Sequence, residues 1–210
     1  MNEQDKIEFE KWRREALPKW TKKEDIMNFI IKKFKYKKYL EIGVRIGACF
    51  KEIEIGSKDG VDANANEYVN FAMASDEFFK RNKKKYDIIF IDGLHTEEQV
   101  HRDVINALRF LNKNGTIICH DINPPFEEYQ TIPPTFTAWN GTSWKAFVKL
   151  RSEREDLEML TIDTDWGLGV IRFGSQELIP IPETLEYNHL KNNRKQLLNL
   201  ITVEDFYNKI

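Results

Sequence analysis

The feature that most constrains the fold is an uninterrupted apolar run at residues 88–91, which Asp87 precedes and Asp92-Gly93 follows. A short run of this kind is typical of a strand buried on both faces of a parallel sheet. A second apolar run, at residues 116–119, is followed in the same way by His120-Asp121. Because open α/β sheets bind ligands at the carboxyl ends of their strands, the two runs predict a crevice edged by carboxylates and imidazoles.

The polar residues after these runs have two interpretations. Asp92, His95 and Asp121 together would suit a metal ion, a proton transfer, or both. Asp-Gly after a strand is also ordinary turn chemistry, and aspartate often caps a helix. Two such endings favour a functional site. His120 stands next to Asp121 in a strand, so alternation predicts that its side chain points to the other face, in the core or behind the site.

Predicted strands and helices alternate along the chain, which indicates a doubly wound α/β fold with a mostly parallel, seven-stranded sheet and extra terminal helices. The strands are predicted at residues 39–44, up to Asp62, and at 67–73, 86–92, 116–120, 157–163 and 167–173; the helices are predicted at 3–16, 22–35, after Gly47, at 75–82, 96–114 and 144–155, with two more in 183–210. We expect Thr21 and Glu24 to form a capping box, Ser75 to cap a helix, and Asn114-Gly115 to end the helix that Thr96 opens. Residues 1–210 are expected to form one domain, with helices at 1–35, a core at 36–175 and a helical tail at 176–210.

Composition limits the classes of protein to consider. The 210-residue chain has a formal charge of −2, which gives no general attraction to nucleic acid or membrane. Cys49 and Cys119 form no Cys-x-x-Cys pair, so free thiols in a reducing compartment are expected. The polar first residues do not resemble a signal peptide, and no apolar run approaches membrane-spanning length. We therefore expect a cytoplasmic protein without a nucleic-acid partner; the terminal helices could support a dimer, but nothing in the sequence requires one.

A glycine motif follows the first predicted strand, as Glu41-x-Gly43-x-x-x-Gly47, and Asp62 closes the next strand. Glycines there let the backbone approach a ligand, and an acid at that position can accept hydrogen bonds from ribose hydroxyls. The glycine spacing differs from the G-x-G-x-x-G of dinucleotide sites, and Glu41 suits a cationic amino-acid group. The motif thus favours an adenosyl group with a methionine tail, although the glycines would also serve a tight turn alone.

Residues 123–141 are rich in turn formers and long enough to suggest a functional loop or lid. Two tryptophans follow its prolines. Trp139, in the loop, is the better candidate to pack on a sugar face, and Trp144 is more typical of core packing. Lys145 could meet a phosphate on an activated donor.

Several of these motifs together resemble class I S-adenosylmethionine-dependent methyltransferases, and most closely the subgroup called methyltransferase family 24, which is often found with glycan and polysaccharide biosynthesis. The resemblance covers residues 36–175. It is carried by Glu41-x-Gly43-x-x-x-Gly47, Gly60-Val61-Asp62, Ser75-Asp76-Glu77-Phe78-Phe79, Phe90-Ile91-Asp92-Gly93-Leu94-His95, His120-Asp121-x-Asn123-Pro124-Pro125 and Trp139-x-Gly141-x-x-Trp144-Lys145. Arg45 departs from the commoner glycine, as it does in other members of the subgroup.

The resemblance implies a Rossmann-like methyltransferase fold and a role for each matching residue. Glu41, Gly43 and Gly47 would hold the methionine end of S-adenosylmethionine, Asp62 its ribose, and Ser75 and Asp76 its adenine. As in related metal-dependent sugar O-methyltransferases, Asp92 and Asp121 would bind a divalent cation, most simply Mg²⁺, with Asn123 completing the shell. His95 would be the general base, and Trp139 and Lys145 would contact a sugar or glycan acceptor.

Two other functions stay open at this point. The chain could be a non-catalytic accessory module of a glycan-modifying protein, although the joint presence of Asp62, Asp92, His95 and Asp121 speaks against it. A dinucleotide-dependent oxidoreductase is disfavoured by the glycine spacing.

Overall fold

The structure is a computed structural model that describes residues 7, 10, 11, 14, 15, 20–135 and 138–210. Its helices are α1 (Lys23–Phe34), α2 (Ala48–Glu52), α3 (Ser75–Arg81), α4 (Glu97–Phe110), α5 (Ser143–Glu153), α6 (Tyr187–Leu198) and α7 (Val203–Lys209). Its strands are β1 (Lys38–Ile42), β2 (Ser57–Asp62), β3 (Phe71–Ala72), β4 (Tyr86–Ile91), β5 (Leu111–Cys119), β6 (Leu157–Ile162), β7 (Leu168–Phe173) and β8 (Leu200–Ile201). None of the helices in these described ranges is both long and apolar enough to cross a membrane.

The strands form one sheet in the order β3-β2-β1-β4-β5-β7-β6-β8. The neighbours from β3 to β5 are parallel, whereas β7 is antiparallel to both β5 and β6. The predicted doubly wound, mostly parallel fold is confirmed. The sheet has eight strands because the short β8 adds to the seven that the sequence indicates, and the strand predicted at 67–73 is reduced to Phe71–Ala72.

The register aligns the carboxyl ends of the three central strands. Ile42 pairs with Ile91, and Ile91 pairs with Cys119. The backbone pairing continues one residue further, since the N–H of Asp92 donates to Ile42 and that of His120 donates to Ile91. The residues that follow β1, β4 and β5 therefore emerge side by side at one edge of the sheet.

Alternating side chains of β4 pack into two apolar layers, one on each face of the sheet. Ile89 and Ile91 lie in the layer covered by α3, α4, α5 and α6. Ile88 and Phe90 lie in the layer covered by α1, α2 and α7. Each such side chain stabilises the fold by about 1.5–3 kcal/mol when fully buried. Burial on both faces is what the uninterrupted apolar sequence predicts, and it makes the ends of β4 a rigid support.

Several predicted boundaries are wrong for tertiary reasons. Thr21 does not cap α1; Lys22 is the cap residue, and the carboxylate of Asp165 accepts the N–H of Lys23 instead. Ser75 is the first residue of α3 and makes no cap bond. Residues 111–115 extend β5 rather than α4, where Asn112 donates to Asp87. Thr96 caps α4 as predicted.

The helix predicted at residues 3–16 falls largely outside the described residues. Residues 7, 10, 11, 14 and 15 are helical. The division of the chain into one domain with terminal helices stays a prediction.

Candidate functional site

Two adjoining cavities open at the carboxyl edge of the sheet. One, of about 480 Å³, is lined by residues that include Lys23, Glu41, His95 and Trp166. The other, of about 460 Å³, lies on the side of β2 and α3. Gly43, Arg45, Asp92 and Gly93 line both cavities. An elongated ligand could therefore extend from one into the other past the end of β4.

The cavity beside β2 contains the three polar residues predicted on that side. Asp62, Ser75 and Asp76 all line it. The two carboxylate oxygens of Asp62 accept the backbone N–H groups of Arg45 and Asn64, each at 2.8 Å. These bonds hold the carboxylate in place, and each oxygen keeps a second lone pair for a hydroxyl donor.

The two motif glycines have different surroundings. Gly43 has a φ of +91°, and a Cβ there would lie 2.2 Å from the carbonyl oxygen of Asp92. Gly43 thus permits close approach of the ends of β1 and β4, and it lines both cavities. Gly47 has a φ of +75° and is covered by the ring of Tyr68. It precedes α2 and is not among the residues that line the two cavities, so its role at the methionine end stays a prediction.

Glu41 lies at the bottom of the larger cavity and is 1% exposed. The hydroxyl of the buried Tyr39 donates to its carboxylate. Burial, only partly offset by this hydrogen bond, raises the pKa of Glu41 to about 8. A cationic ligand group beside it would favour the charged form.

Asp92, His95 and Asp121 converge beside Glu41's cavity. One ligand atom from each lies within 4.8 Å of the others. Nε2 of His95 is 3.2 Å from Oδ1 of Asp92, and its Nδ1 is 3.1 Å from Oδ2 of Asp121. The two strand ends thus bring together the acids and the imidazole as the sequence suggests. Oxygen-rich clusters of this kind suit hard divalent cations.

The charged groups of the cluster shift one another's pKa values. Burial by itself lowers the pKa of His95, but the hydrogen bond to Asp92 and the charges of Asp121 and Asp92 outweigh it and raise the pKa to about 9. Burial would raise the pKa of Asp92, yet the charge of His120 and hydrogen bonds from both histidines hold it well below its usual value. Lys23 adds an ammonium 3.7 Å from Asp92.

The prediction that His120 points away from Asp121 is wrong. Its Nδ1 lies 3.1 Å from Oδ1 of Asp92 and 3.1 Å from Oδ2 of Asp121. The reason is that β5 ends at Cys119 and Asp121 has a φ of +61°, so the alternation of an extended strand does not continue through this pair.

Asn123, predicted to complete a metal shell, is engaged elsewhere. Its Nδ2 donates to Asp163, and its Oδ1 accepts from the guanidinium of Arg194. The amide beside the cluster belongs instead to Asn140, whose Nδ2 donates to Oδ1 of Asp121 at 2.8 Å. Asn140 is fully buried, and its Oδ1 has no hydrogen-bond partner among the residues that the structure describes.

The turn-rich segment reaches the cluster through its last residues. Trp139 stacks on the ring of His95, with centroids 5.7 Å apart, and its carbonyl oxygen lies 3.0 Å from Nδ1 of His95. Trp139 also lines the larger cavity. Lys145 does not line this cavity, and its ammonium lies over the ring of Trp144. Trp144 is fully buried, as expected.

Besides Asn140, three residues of the site escaped sequence reasoning. Lys23 reaches it from the start of α1, and Asp165 and Trp166 reach it from the turn between β6 and β7. Asp165 and Trp166 both have positive φ, at +43° and +63°. Non-glycine residues in this conformation concentrate at functional sites, but only a structure reveals them. The Asp-Trp-Gly sequence at 165–167 marks a turn and gives no further signal.

Comparisons with known proteins agree with this geometry. Residues 50–122, about a third of the chain, match the model of methyltransferase family 24, described as a methyltransferase domain. The match contains Asp62, Asp92, His95 and Asp121. No curated protein shows significant sequence similarity to the chain.

Solved structures resemble the fold at low sequence identity. Cofactor-bound Rv0187 from MTB has a TM-score of 0.57 at 12% identity, with 77% of this chain and 85% of that chain covered. The methyltransferase PaMTH1 of Podospora anserina, bound to SAH, has 0.54 at 16%, with 80% and 87% covered. The O-methyltransferase TomG of Streptomyces achromogenes, in complex with SAM, has 0.53 at 11%, with 83% and 91% covered. The chain therefore has the Rossmann-like fold of methyltransferases.

Proposed function

We propose that the protein is an S-adenosylmethionine-dependent O-methyltransferase whose reaction is assisted by a divalent metal ion. The observation that carries the proposal is the position of the Asp92, His95 and Asp121 cluster, which edges a cavity continuous with the one that Asp62 lines. The methyltransferase family match and the fold support the same reaction class.

The residues present fit both groups that this reaction needs. Asp62 would accept the ribose hydroxyls, Ser75 and Asp76 would lie at the adenine, and Glu41 and Gly43 would hold the methionine end. Asp92 and Asp121 would supply the carboxylates for a cation. The buried Oδ1 of Asn140, which lacks a hydrogen-bond partner among the described residues, supports the presence of a further polar ligand here.

S-adenosylmethionine supplies a methyl group on sulfonium, and a hard cation such as Mg²⁺ orients an acceptor hydroxyl and lowers its pKa. The protein's part is to align the hydroxyl with the methyl group and to take up its proton. His95, held between the two carboxylates and Trp139, is placed to accept that proton. His95 can act as a base only in its neutral form. A cation bound to Asp92 and Asp121 would offset their negative charges and so lower the pKa of His95 toward that form.

For the acceptor we propose a hydroxyl of a sugar in a glycan or glycan precursor. Trp139 and Trp166 both line the larger cavity, and indole faces pack on the apolar faces of sugar rings. Lys145 loses support as a contact because it lies outside that lining. We place the reaction in the cytoplasm, where Cys49 and Cys119, both buried and free, would stay reduced.

Calorimetric titration with S-adenosylhomocysteine, with and without Mg²⁺, tests the proposal. The wild type should bind at micromolar concentration, and Asp62→Ala should lose at least tenfold in affinity. Asp62→Asn, which keeps an acceptor for the backbone of Arg45, separates ribose binding from loop support. Asp156→Ala, an exposed carboxylate paired with Arg154, is the control. No binding by the wild type would overturn the proposal and favour a non-catalytic accessory module.

A further inference from the structure

The side-chain amide of Asn140 is held against the acidic cluster with one of its two polar atoms unused. Its Nδ2 donates to Oδ1 of Asp121 at 2.8 Å, and its Oδ1 is buried without a hydrogen-bond partner among residues 20–135 and 138–210. The backbone around it is fixed, because the N–H groups of Asn140 and Gly141 both donate to Tyr129. A buried carbonyl oxygen without a donor is costly, so its retention beside the Asp121 carboxylate calls for a function.

From this geometry we propose that Asn140 is a ligand of the divalent cation, and that its amide turns over when the cation binds. This inference rests on the proposed function, since it concerns the metal of that site. It replaces Asn123, whose amide is already bonded to Asp163 and Arg194.

The distance between the side chains of Asn140 and Asp121 matches that between two ligands of one ion. Two oxygens in adjacent positions of an octahedral Mg²⁺ shell are about 2.9 Å apart, because each lies about 2.0–2.1 Å from the ion. The Nδ2 atom of Asn140 is 2.8 Å from Oδ1 of Asp121. A half-turn of the amide would put Oδ1 at that position, at the separation of two ligands of one ion.

The amide of Asn140 can contact either a carboxylate or a cation. Among the residues that the structure describes, the other side chains that contact the two cluster carboxylates are the imidazoles of His95 and His120 and the ammonium of Lys23. The ammonium would have to move aside for a cation, and a protonated imidazole would have to lose its proton. An amide carries a donor and an acceptor on one planar group, so rotation alone converts it from a partner of the carboxylate into a partner of the ion.

The same rotation is unfavourable without the ion, because it would bring two oxygens to 2.8 Å with no proton between them. With the ion bound, the rotation leaves the number of unpaired amide atoms unchanged, because Oδ1 faces the ion and Nδ2 takes the buried position where Oδ1 now lacks a described partner. Contact with the cation therefore decides which orientation is stable.

Calorimetric titration with MgCl₂ tests the inference on the wild type, Asn140→Leu and Asn123→Leu. Leucine keeps the number and branching of the non-hydrogen side-chain atoms of asparagine and removes both polar atoms. If Asn140 is a ligand, Asn140→Leu should weaken Mg²⁺ binding by about tenfold or more. If it were only a donor to Asp121, its loss would leave that carboxylate freer, and Mg²⁺ would bind equally well or more tightly. Asn123→Leu should stay within about twofold of the wild type.

Binding of S-adenosylhomocysteine without Mg²⁺ shows that each variant is folded and tests the proposed function separately. Failure of the wild type to bind it would overturn the proposed function. Normal binding together with unchanged Mg²⁺ affinity in Asn140→Leu would overturn only the inference. A crystal structure soaked with Mn²⁺ gives the direct answer: Oδ1 of Asn140 should contact the ion, and an amide whose Nδ2 still faces Asp121 would contradict the proposal.

Discussion

Oδ1 of Asp165 lies 3.3 Å from Nε2 of His120, while Oδ2 of the same carboxylate accepts the backbone N–H of Lys23 at 2.9 Å. One side chain therefore orients an imidazole of the acidic cluster and caps α1. Because His120 is buried and contacts Asp92 and Asp121 through its other nitrogen, the position of Asp165 affects both carboxylates.

Replacing Asp165 should destabilise the fold. Asp165→Ala removes the cap of α1, leaves Nε2 of His120 without this acceptor, and puts alanine at a φ of +43°. We expect a loss of about 2–3 kcal/mol, or roughly 4–12 °C in Tm. Asp165→Asn, which tolerates the backbone conformation and keeps an acceptor, should recover part of it. Thermal unfolding measures both, with Asp156→Ala as a surface control expected to change stability by less than 1 kcal/mol. Equal stability of all three variants would show that the contacts of Asp165 contribute little.

Glu41 should make stability depend on pH. Its carboxyl group has a pKa of about 8 in the folded protein and an ordinary value near 4.3 when unfolded. Between these values the folded state holds a proton that the unfolded state has lost, so this residue's contribution to stability decreases as pH rises from about 4.5 to 8. Glu41→Gln keeps an acceptor for Tyr39 and cannot ionise. It should match the wild type near pH 4.5 and exceed it by a few kcal/mol at pH 8.

Urea unfolding of both proteins at intervals between pH 4.5 and 8 gives the difference in their unfolding free energies. Groups that titrate in the same way in both proteins cancel in this difference. The exposed Glu54, changed to glutamine, is the control and should show no such difference. A gap between Glu41→Gln and the wild type that stays constant with pH would contradict the prediction. The variant should also bind S-adenosylhomocysteine more weakly, because the carboxylate for the methionine ammonium is gone.

Gly43→Ala should be among the more damaging single-methyl changes. The added Cβ would lie 2.2 Å from the carbonyl oxygen of Asp92 and would sit at a φ of +91°. Since the obstacle is backbone at the end of β4, relief requires moving the Asp92 loop. We expect a loss of about 2–4 kcal/mol in unfolding free energy and weaker S-adenosylhomocysteine binding. Gly56→Ala, where a Cβ meets no atom within 4 Å, is the matched control. The control should change stability by at most about 1 kcal/mol, and comparable losses in both variants would refute the steric argument.

Lys23 should weaken cation binding by the cluster. Burial lowers the pKa of Lys23, but the charges of Asp92 and Asp165 outweigh this effect and raise it, so the ammonium stays charged. A unit charge near 4 Å interacts with about 1 kcal/mol in water and about 4 kcal/mol near a protein surface. Lys23→Met should therefore tighten Mg²⁺ binding by about fivefold or more, measured by calorimetry at constant salt. Lys22→Met, one residue earlier and exposed, should leave it unchanged. Weaker binding by Lys23→Met would mean that Lys23 supports the site instead.

The features that the sequence predicts correctly depend on residues that are close together in the chain. The apolar run at 88–91 and the glycine motif at 41–47 depend on neighbours in sequence, and they correctly indicate the parallel sheet and the edge where the cluster lies. Thr96 caps its helix because its partner, Gln99, is three residues away. The cap of α1 lies on Asp165, 142 residues from Lys23. No periodicity near Thr21 could indicate that partner.

The wrong prediction for His120 and the distance of the Asn123 amide from the cluster have a related cause. Alternation along a strand predicts the direction of a side chain only while the backbone stays extended, and the positive φ of Asp121 ends that condition. Asn123 follows Asp121 closely in sequence, whereas the amide that reaches the cluster is Asn140, which the loop over residues 123–141 returns to the site. Proximity in sequence was therefore a poor guide to proximity at the end of β5.

The contact between Asp165 and Lys23 also shows that the surroundings of the cluster come from more of the chain than the family match covers. The segment matched by the family model, residues 50–122, contributes Asp92, His95, His120 and Asp121. The ammonium of Lys23, the carboxylate of Asp165 and the amide of Asn140 all come from outside it. If a cation binds at the cluster as proposed, these three flanking side chains would influence which cation it accepts and how tightly it is held.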